Sequence, residues 1–404
     1  MARHWPELAD VVRKHGEEYV EAYEATLSPE QRRALKSIAQ CRTSALGGHK
    51  TTYSCGHEEI SYDSCRNRHC PKCQGEARRK WLDNRARDLL DVEYFHVVFT
   101  LPGALGPVAL QNKRDLYGLL FQAASETLLT IGRDPKHLGA EIGFLAVLHT
   151  WGQNLHMHPH VHCVIPGGGF SRDKSRWISC RKRFFLPVRV LSRLFRRKFM
   201  ALLRNAQAKK KIQFHGKLAY LSDSTRWEDF LRSIDKQDWV VYAKRPWGGP
   251  KQVLKYLARY THRVAISNER IVRLEDGMVS FKWKDYAHGN AEGEMKLQAV
   301  EFIRRFLQHV LPRGFMRIRH YGFLANRCRK KNLALARALL PKDAQETTAP
   351  DGVKPLPESW GEELQEDRNL CPKCKQGRLV SREKIASTKK VESSIALQAP
   401  FNTS

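Results

Sequence analysis

No stretch of this sequence approaches the roughly 18 uninterrupted apolar residues that a membrane-spanning helix needs. Its opening residues, MARHWPELADVVRKHGEEY, lack an apolar core resembling a secretion signal, which sets the expectation of a cytoplasmic chain with no membrane partner. A phosphate-binding loop of the G-x-x-x-x-G-K-[ST] type is missing too, so the chain carries no such ATP-driven motor of its own. No internal repeat is visible. Acids are scarce, with 42 Asp+Glu against 70 Lys+Arg and a formal charge of +28. A surplus of that size in a folded chain points to a polyanionic partner, and nucleic acid is the usual one. Core material is not scarce: 42% of the residues are hydrophobic and 9% aromatic, and 404 residues allow two or three domains.

Ten cysteines are present, and their clustering matters more than their number. Disulfides do not persist in a reducing compartment, so grouped thiols there read as metal ligands. Cys41, Cys55, Cys65, Cys70 and Cys73 fall in one short segment that also holds His49, His57 and His69. The C-x9-C-x4-C-x2-C spacing from Cys55 to Cys73 offers four sulfurs to one structural Zn²⁺, with Cys70-Pro71-Lys72-Cys73 as a knuckle. Cys371-Pro372-Lys373-Cys374 is a second half-site whose further ligands the sequence does not name.

Periodicity organises the rest. Residues 1–40 read as helical, and Ser28-Pro29-Glu30-Gln31 carries the signature of a helix start. A further helix is expected from about Gly75 to Leu90. Residues 93–101 and 142–149 read as central strands with a helix over 111–131 between them, and a third strand over 160–165 ends at Gly167-Gly168-Gly169. Strands are also expected at 239–243, 270–274 and 279–283, with helices at 251–261 and 299–309. These elements predict an α+β body with a partly antiparallel sheet. Residues 170–217 hold 16 Lys+Arg and the single acid Asp173, a net +15 concentrated in 48 positions. The expected division is a helical and zinc-binding domain over 1–90, a main domain over 91–340 with a basic insertion at about 170–217, and a linker and CxxC tail over 341–404.

Two further constellations can carry chemistry. His156-Met-His158-Pro-His160-Val-His162 places histidines at period two, so neighbours on a strand face one way and can share a divalent ion. Pro159 favours a strand that begins after it, hence His160 and His162 as the pair. Gln153 is the expected third donor from the preceding turn, with His156 and His158 as alternatives. Tyr256 and Tyr260 sit four apart on the expected helix, among Lys251, Lys255, Arg259, His262 and Arg263, a setting that favours phosphate and eases tyrosinate formation.

Together these strings, CRTSALGGH (41–49), YDSCRNRHCPKCQ (62–74), FHVVFTLP (95–102), HTWGQNLHMHPHVHCVIPGGG (149–169), PWGGPKQVLKYLARYTHRVAISN (246–268), EFIRRFLQHVLPRGFMRIRHYGFLAN (301–326) and CPKC (371–374), run in order through nearly the whole chain. It resembles the rolling-circle insertion-sequence transposases of the IS-ninety-one type, two-tyrosine HUH single-strand endonucleases. The resemblance implies an HUH-type antiparallel sheet with flanking helices, preceded by a small zinc-binding helical module. It implies that His160 and His162 hold a catalytic Mg²⁺ or Mn²⁺ and that Tyr256 and Tyr260 are paired nucleophiles forming 5′-phosphotyrosine links. The implied substrate is single-stranded DNA at transposon ends and target, in a bacterial, nucleoid-associated protein that borrows unwinding from host helicase or replication proteins. Relatives carry a cysteine where this chain has Thr52, so Cys55, Cys65, Cys70 and Cys73 are taken as the zinc set, with Cys41 and His49 as rivals. Arg196, Arg197 and Lys198, with Lys251, Lys255 and Arg259, are the expected DNA contacts, guiding a strand across the site. A plasmid replication initiator or relaxase shares this chemistry, and a non-catalytic zinc-ribbon nucleic-acid-binding protein is the reading from another class.

Overall fold

Helices α1 (Leu8–Tyr23) and α2 (Pro29–Gln40) open the chain in a computed structural model that describes residues 5–181, 185–247, 253, 264–285, 291–340 and 369–388. α2 starts as its sequence predicts. The Ser28 hydroxyl accepts from the Gln31 amide (3.2 Å), and the Gln31 side-chain carbonyl accepts from the Ser28 amide (2.9 Å). The cysteine-rich stretch then forms the hairpin β1 (Gly48–Tyr53) and β2 (Glu58–Tyr62), followed by α3 (Pro71–Ala86). α3 begins earlier than expected because Pro71, with φ preset for a first helical position, follows Cys70 directly.

The main body alternates β3 (Tyr94–Thr100), α4 (Gly106–Gln111), α5 (Lys113–Arg133), β4 (Gly143–Trp151) and β5 (Met157–Pro166). A small ribbon of β6 (Gly168–Phe170) and β7 (Trp177–Ser179) precedes α6 (Val188–Ala208), α7 (Ser224–Asp235) and β8 (Val241–Trp247). Next come the meander β9 (Ile271–Glu275), β10 (Met278–Asp285) and β11 (Ala291–Gln298), then α8 (Ala299–Gln308), β12 (Ile318–Gly322) and α9 (Arg329–Leu339). β13 (Leu379–Ile385) returns to pair with β1.

The central sheet has five strands in the order β12-β4-β5-β3-β8, every adjacent pair antiparallel. β3 and β4 therefore run the same way, with β5 reversed between them, and the fold is α+β with antiparallel sheets and flanking helices. β5 starts at Met157, before Pro159, contrary to the sequence expectation. Pro159 is tolerated because β5 is bulged at His158-Pro159, opposite Thr150 of β4, where no ladder donor is required, while its carbonyl still accepts from the Leu101 amide (3.1 Å).

Strand alternation gives the sheet two distinct faces. Phe95, Val97 and Phe99 of β3, Phe144, Ala146 and Leu148 of β4, and Val161, Cys163 and Ile165 of β5 pack on α5 and α6 in the largest core. Phe99 meets Phe195 of α6 with ring centroids 4.9 Å apart. Each such fully buried aromatic contributes about 1.5–3 kcal/mol of apolar burial. The opposite face holds Tyr94, Leu145, Val147 and Val164 and also receives the fully buried Val253. A second core joins α1 and α2 to Phe281 of β10 and to Phe302, Ile303, Phe306 and Leu307 of α8, so the amino-terminal helices are packed on the body.

The basic segment 170–217 forms, in its second half, the amphipathic helix α6. Leu191, Phe195, Phe199 and Leu203 turn inward, which sends the cations outward on the far side of the sheet. Among the described residues, no helix is long and apolar enough to cross a membrane.

His309, at the end of α8, clamps the β4–β5 turn. Its Nε2 donates to the Leu155 carbonyl (3.0 Å), and its Nδ1 accepts from the Thr150 hydroxyl (3.1 Å). Burial pushes its pKa down to about 4. The folded state thus keeps this imidazole neutral over a range in which the unfolded chain, titrating near 6.5, takes up a proton. Stability is expected to fall as pH drops from about 6.5 towards about 4. Denaturant titrations at pH 7 and pH 5 should show a smaller loss in His309→Gln than in the unaltered protein.

Candidate functional site

Antiparallel pairing sets His149 of β4 directly opposite His160 of β5, and Val147 opposite His162. All three histidines lie on the face away from α5 and α6, and ring nitrogens of His149, His160 and His162 come within 4.8 Å of one another. The rings of His149 and His162 have centroids 4.5 Å apart, and those of His160 and His162 4.8 Å. His149 and His162 are buried, while His160 is half-buried at the open side.

The proton positions follow from the partners. His160 Nδ1 lies 2.6 Å from the His158 carbonyl, which can only accept, so Nδ1 carries the proton and the lone pair of the neutral ring resides on Nε2. His96 of β3 places Nε2 2.8 Å from His162 Nδ1, with the two rings nearly coplanar at 7°. If His162 donates there, its Nε2 is likewise the lone-pair nitrogen, the tautomer a metal ligand requires. Three converging imidazoles, one of them reachable from outside, fit a divalent cation with coordination positions left open.

The hairpin partner of His160 is His149, not Gln153. The turn from Gly152 to His156 is closed by the Gly152 amide on the His156 carbonyl (3.0 Å), which leaves Gln153 at the hairpin tip. There the Gln153 backbone carbonyl accepts from the Arg270 guanidinium (2.5 Å). Buried Leu155 holds this tip with φ 61°, a left-handed conformation unfavourable for a branched side chain. The alternatives His156 and His158 are exposed and stand outside the three-histidine group. His149 was legible as an odd-position residue of the expected strand 142–149, on the same parity as Leu145 and Val147. His96 had the same signal one strand away.

A second group is Cys41, Cys65, Cys70 and Cys73. Cys41 caps the end of α2, Cys65 sits in the loop after β2, and Cys70 and Cys73 occupy the first turn of α3. Sulfur separations are 3.6 Å for Cys41–Cys73, 3.5 Å for Cys65–Cys73 and 3.6 Å for Cys41–Cys70. Zn–S bonds of about 2.3 Å in a tetrahedron place sulfurs about 3.8 Å apart, whereas a disulfide needs about 2.05 Å. The donor set therefore fits a structural Zn²⁺. Hydrogen bonds from neighbouring thiols, Cys65 foremost, pull Cys41 down to about 7, and those from Cys41 first pull Cys73 down as well. Cys41 takes the fourth place expected of Cys55, because the end of α2 faces the start of α3. Cys55 lies instead with Cys371 and Cys374, and His49 faces Asp63 at 3.7 Å on β1.

Arg196, Arg197 and Lys198 of α6 lie on the opposite side of the sheet from the histidines. Arg196 pairs with Asp235 (3.6 Å) and Lys198 with Glu126 (3.2 Å), so this cluster does not border the site. Tyr256, Tyr260, Lys251, Lys255 and Arg259 fall outside the described residues.

A family profile described as "Transposase zinc-binding domain", of the IS91 type, matches residues 11–101, and one described as "Putative transposase" matches residues 143–332. A protein of Sinorhizobium fredii named "Putative transposase y4qJ" is 53% identical over 384 residues, covering 95% of this chain and 96% of the relative. The chain belongs to the IS91-type transposases. This transposase is also 29% identical over 300 residues to the "Transposase for insertion sequence element IS801" of Pseudomonas savastanoi pv. phaseolicola, covering 72% of this chain and 70% of the relative. No solved structure matches it.

The cysteine geometry separates two ligand sets. Cys41→Ser and Cys70→Ser are each expected to release zinc from the amino-terminal module and to lower its melting temperature, whereas Cys55→Ser should leave that module's zinc in place. Thiol-chelator titration with a colorimetric zinc indicator distinguishes these outcomes.

Proposed function

We propose that this transposase cuts one DNA strand at an element end and passes it to a target by two-tyrosine HUH chemistry, in rolling-circle transposition. The observation that carries the reading is the convergence of His149, His160 and His162 on one face of an antiparallel sheet, with His96 behind His162. The ion expected there is Mg²⁺ or Mn²⁺, and nitrogen donors suit Mn²⁺ better than the oxygen-preferring Mg²⁺. When bound, it would polarise the scissile phosphate and offset charge on its non-bridging oxygens.

The chain's own groups supply the rest. Val253 is buried on the histidine face of the sheet, in contact with the Tyr94, Leu145, Val147 and Val164 layer. Tyr256 and Tyr260 follow Val253 at i+3 and i+7 in the sequence, so on the expected helix over 251–261 both phenols would share the side of Val253. One tyrosine oxygen bonds to phosphorus as the bond to the 3′ oxygen breaks. The phenol proton is lost to solvent water and the departing 3′ oxygen takes one from it, leaving a 5′-phosphotyrosyl link and a free 3′-hydroxyl. The phosphodiester energy is kept in that link, so rejoining needs no ATP. The second tyrosine allows a second cleavage before the first link is resolved. Lys251, Lys255 and Arg259 share the tyrosine segment and are the proposed phosphate contacts on single-stranded DNA. Unwinding falls to host helicase or replication proteins.

A single-stranded oligonucleotide from the element end, incubated with Mn²⁺, should give a covalent adduct seen as a slower band on a denaturing gel. Tyr256→Phe with Tyr260→Phe should abolish the adduct, and His160→Ala should abolish it while leaving salt-sensitive DNA binding intact. An adduct that survives the double tyrosine change would sink the nucleophile assignment. Removing the imidazole behind His162 with His96→Ala should raise the Mn²⁺ concentration for half-maximal adduct by about 10–100-fold, with the maximum recovered at high Mn²⁺.

A further inference from the structure

The carboxy-terminal segment brings two thiols onto the amino-terminal hairpin. β13 lies antiparallel to β1, from Gly48 opposite Ile385 to Tyr53 opposite Leu379, in a sheet ordered β13-β1-β2. At the end of that ladder the Ser54 amide donates to the Arg378 carbonyl (2.8 Å), and the Arg378 amide donates to the Ser54 hydroxyl (2.9 Å). This pairing places Cys55, in the β1–β2 turn, against Cys371 and Cys374, and the three sulfurs lie within 4.8 Å of one another.

The loop from 371 to 377 has the shape of a metal knuckle. The Lys375 amide donates to the Cys371 carbonyl (2.9 Å), the Cys371 amide to the Gly377 carbonyl (2.6 Å), and the Gly377 amide to Cys374 Sγ (3.3 Å). A side chain at Gly377 would put its Cβ 2.6 Å from Cys55 Sγ, so only glycine lets the two turns close on each other. Cys371 is fully buried, whereas Cys55 and Cys374 are exposed.

Apolar burial offers this sheet little. Every residue of β2 is exposed, β13 is mostly exposed, and Ile60 and Val380 are 56% and 66% exposed. A three-stranded sheet without a buried hydrophobic face needs another source of cohesion.

We propose that Cys55, Cys371 and Cys374 bind a second zinc ion, which tethers the carboxy-terminal knuckle and β13 to the amino-terminal module. Among the described residues no fourth His, Cys, Asp or Glu joins the group. The ion therefore has three thiolates and one position for water or an added ligand, unlike the closed Cys41, Cys65, Cys70 and Cys73 set.

The test uses the full-length, reduced protein in a His160→Ala background, so that zinc in the histidine site does not enter the count. The expected stoichiometry is two zinc ions per chain by elemental analysis. Cys374→Ser and Cys55→Ser, both at exposed positions that tolerate a hydroxyl, should each bring it to one, and trypsin should then cut at Arg382 and Lys384 faster. Cobalt substitution should give two thiolate-to-metal charge-transfer signals in the parent and one in either variant. An unchanged zinc count in both variants would overturn the proposal, as would a disulfide between Cys55 and either tail cysteine in the freshly purified reduced protein.

Discussion

The pairing register of β4 with β5 is the constraint on which the site depends. A strand shows alternate residues to opposite faces, so a slip of one position would turn His160 and His162 into the α5–α6 core and bring Val161 and Cys163 to the open face. The register is held from both sides. On one face the layer of Phe144, Ala146, Leu148, Val161, Cys163 and Ile165 fits only one way against α5 and α6. At the tip, His309 grips Thr150 and Leu155, and the left-handed Leu155 closes the turn. The bulge beside His149 absorbs Pro159 without moving the histidines out of step. The same packing that stabilises the body thus positions the ligands, and no separate scaffold is required.

The zinc-binding module is fastened to this body by specific polar contacts as well as by shared core. Gln31 donates to the Leu307 carbonyl (3.0 Å), Arg68 to the Phe315 carbonyl (2.8 Å), and buried Arg317 to the Gln74 side-chain carbonyl (2.8 Å). These bonds tie the residues flanking Cys65, Cys70 and Cys73 to the segment that leads into β12. Order at the thiols is thereby shared with the edge of the histidine-bearing sheet.

Local signals in the sequence carried well. The Ser28 capping box, the apolar strands around Phe95 and Phe144, and the alternating His160 and His162 all rest on neighbours a few residues apart, where periodicity is decisive. Misplacements arose where long-range pairing decides. Gln153, seven residues before His160, fits the separation of a tighter hairpin, but the true turn is wider and the bulge sets His149 opposite His160. Cys55 fitted a local spacing with Cys65, yet its neighbours come from the other end of the chain. Charge alone does not orient the Arg196 cluster; the inward phase of Leu191, Phe195, Phe199 and Leu203 and the packing of α6 on the far face of the sheet do. Composition located the charge, and only phase could orient it.

The seating of β13 on β1 has a consequence for biosynthesis. Ser54 bonds to Arg378, a residue 324 positions later, so the outer edge of β1 stays open until residues 379–385 have been made. Open strand edges invite pairing with other chains, and contacts of such high sequence separation form late. A nascent transposase therefore has its histidine sheet encoded and available for folding well before its amino-terminal sheet can close. The amino-terminal sheet can close only once β13 has been translated.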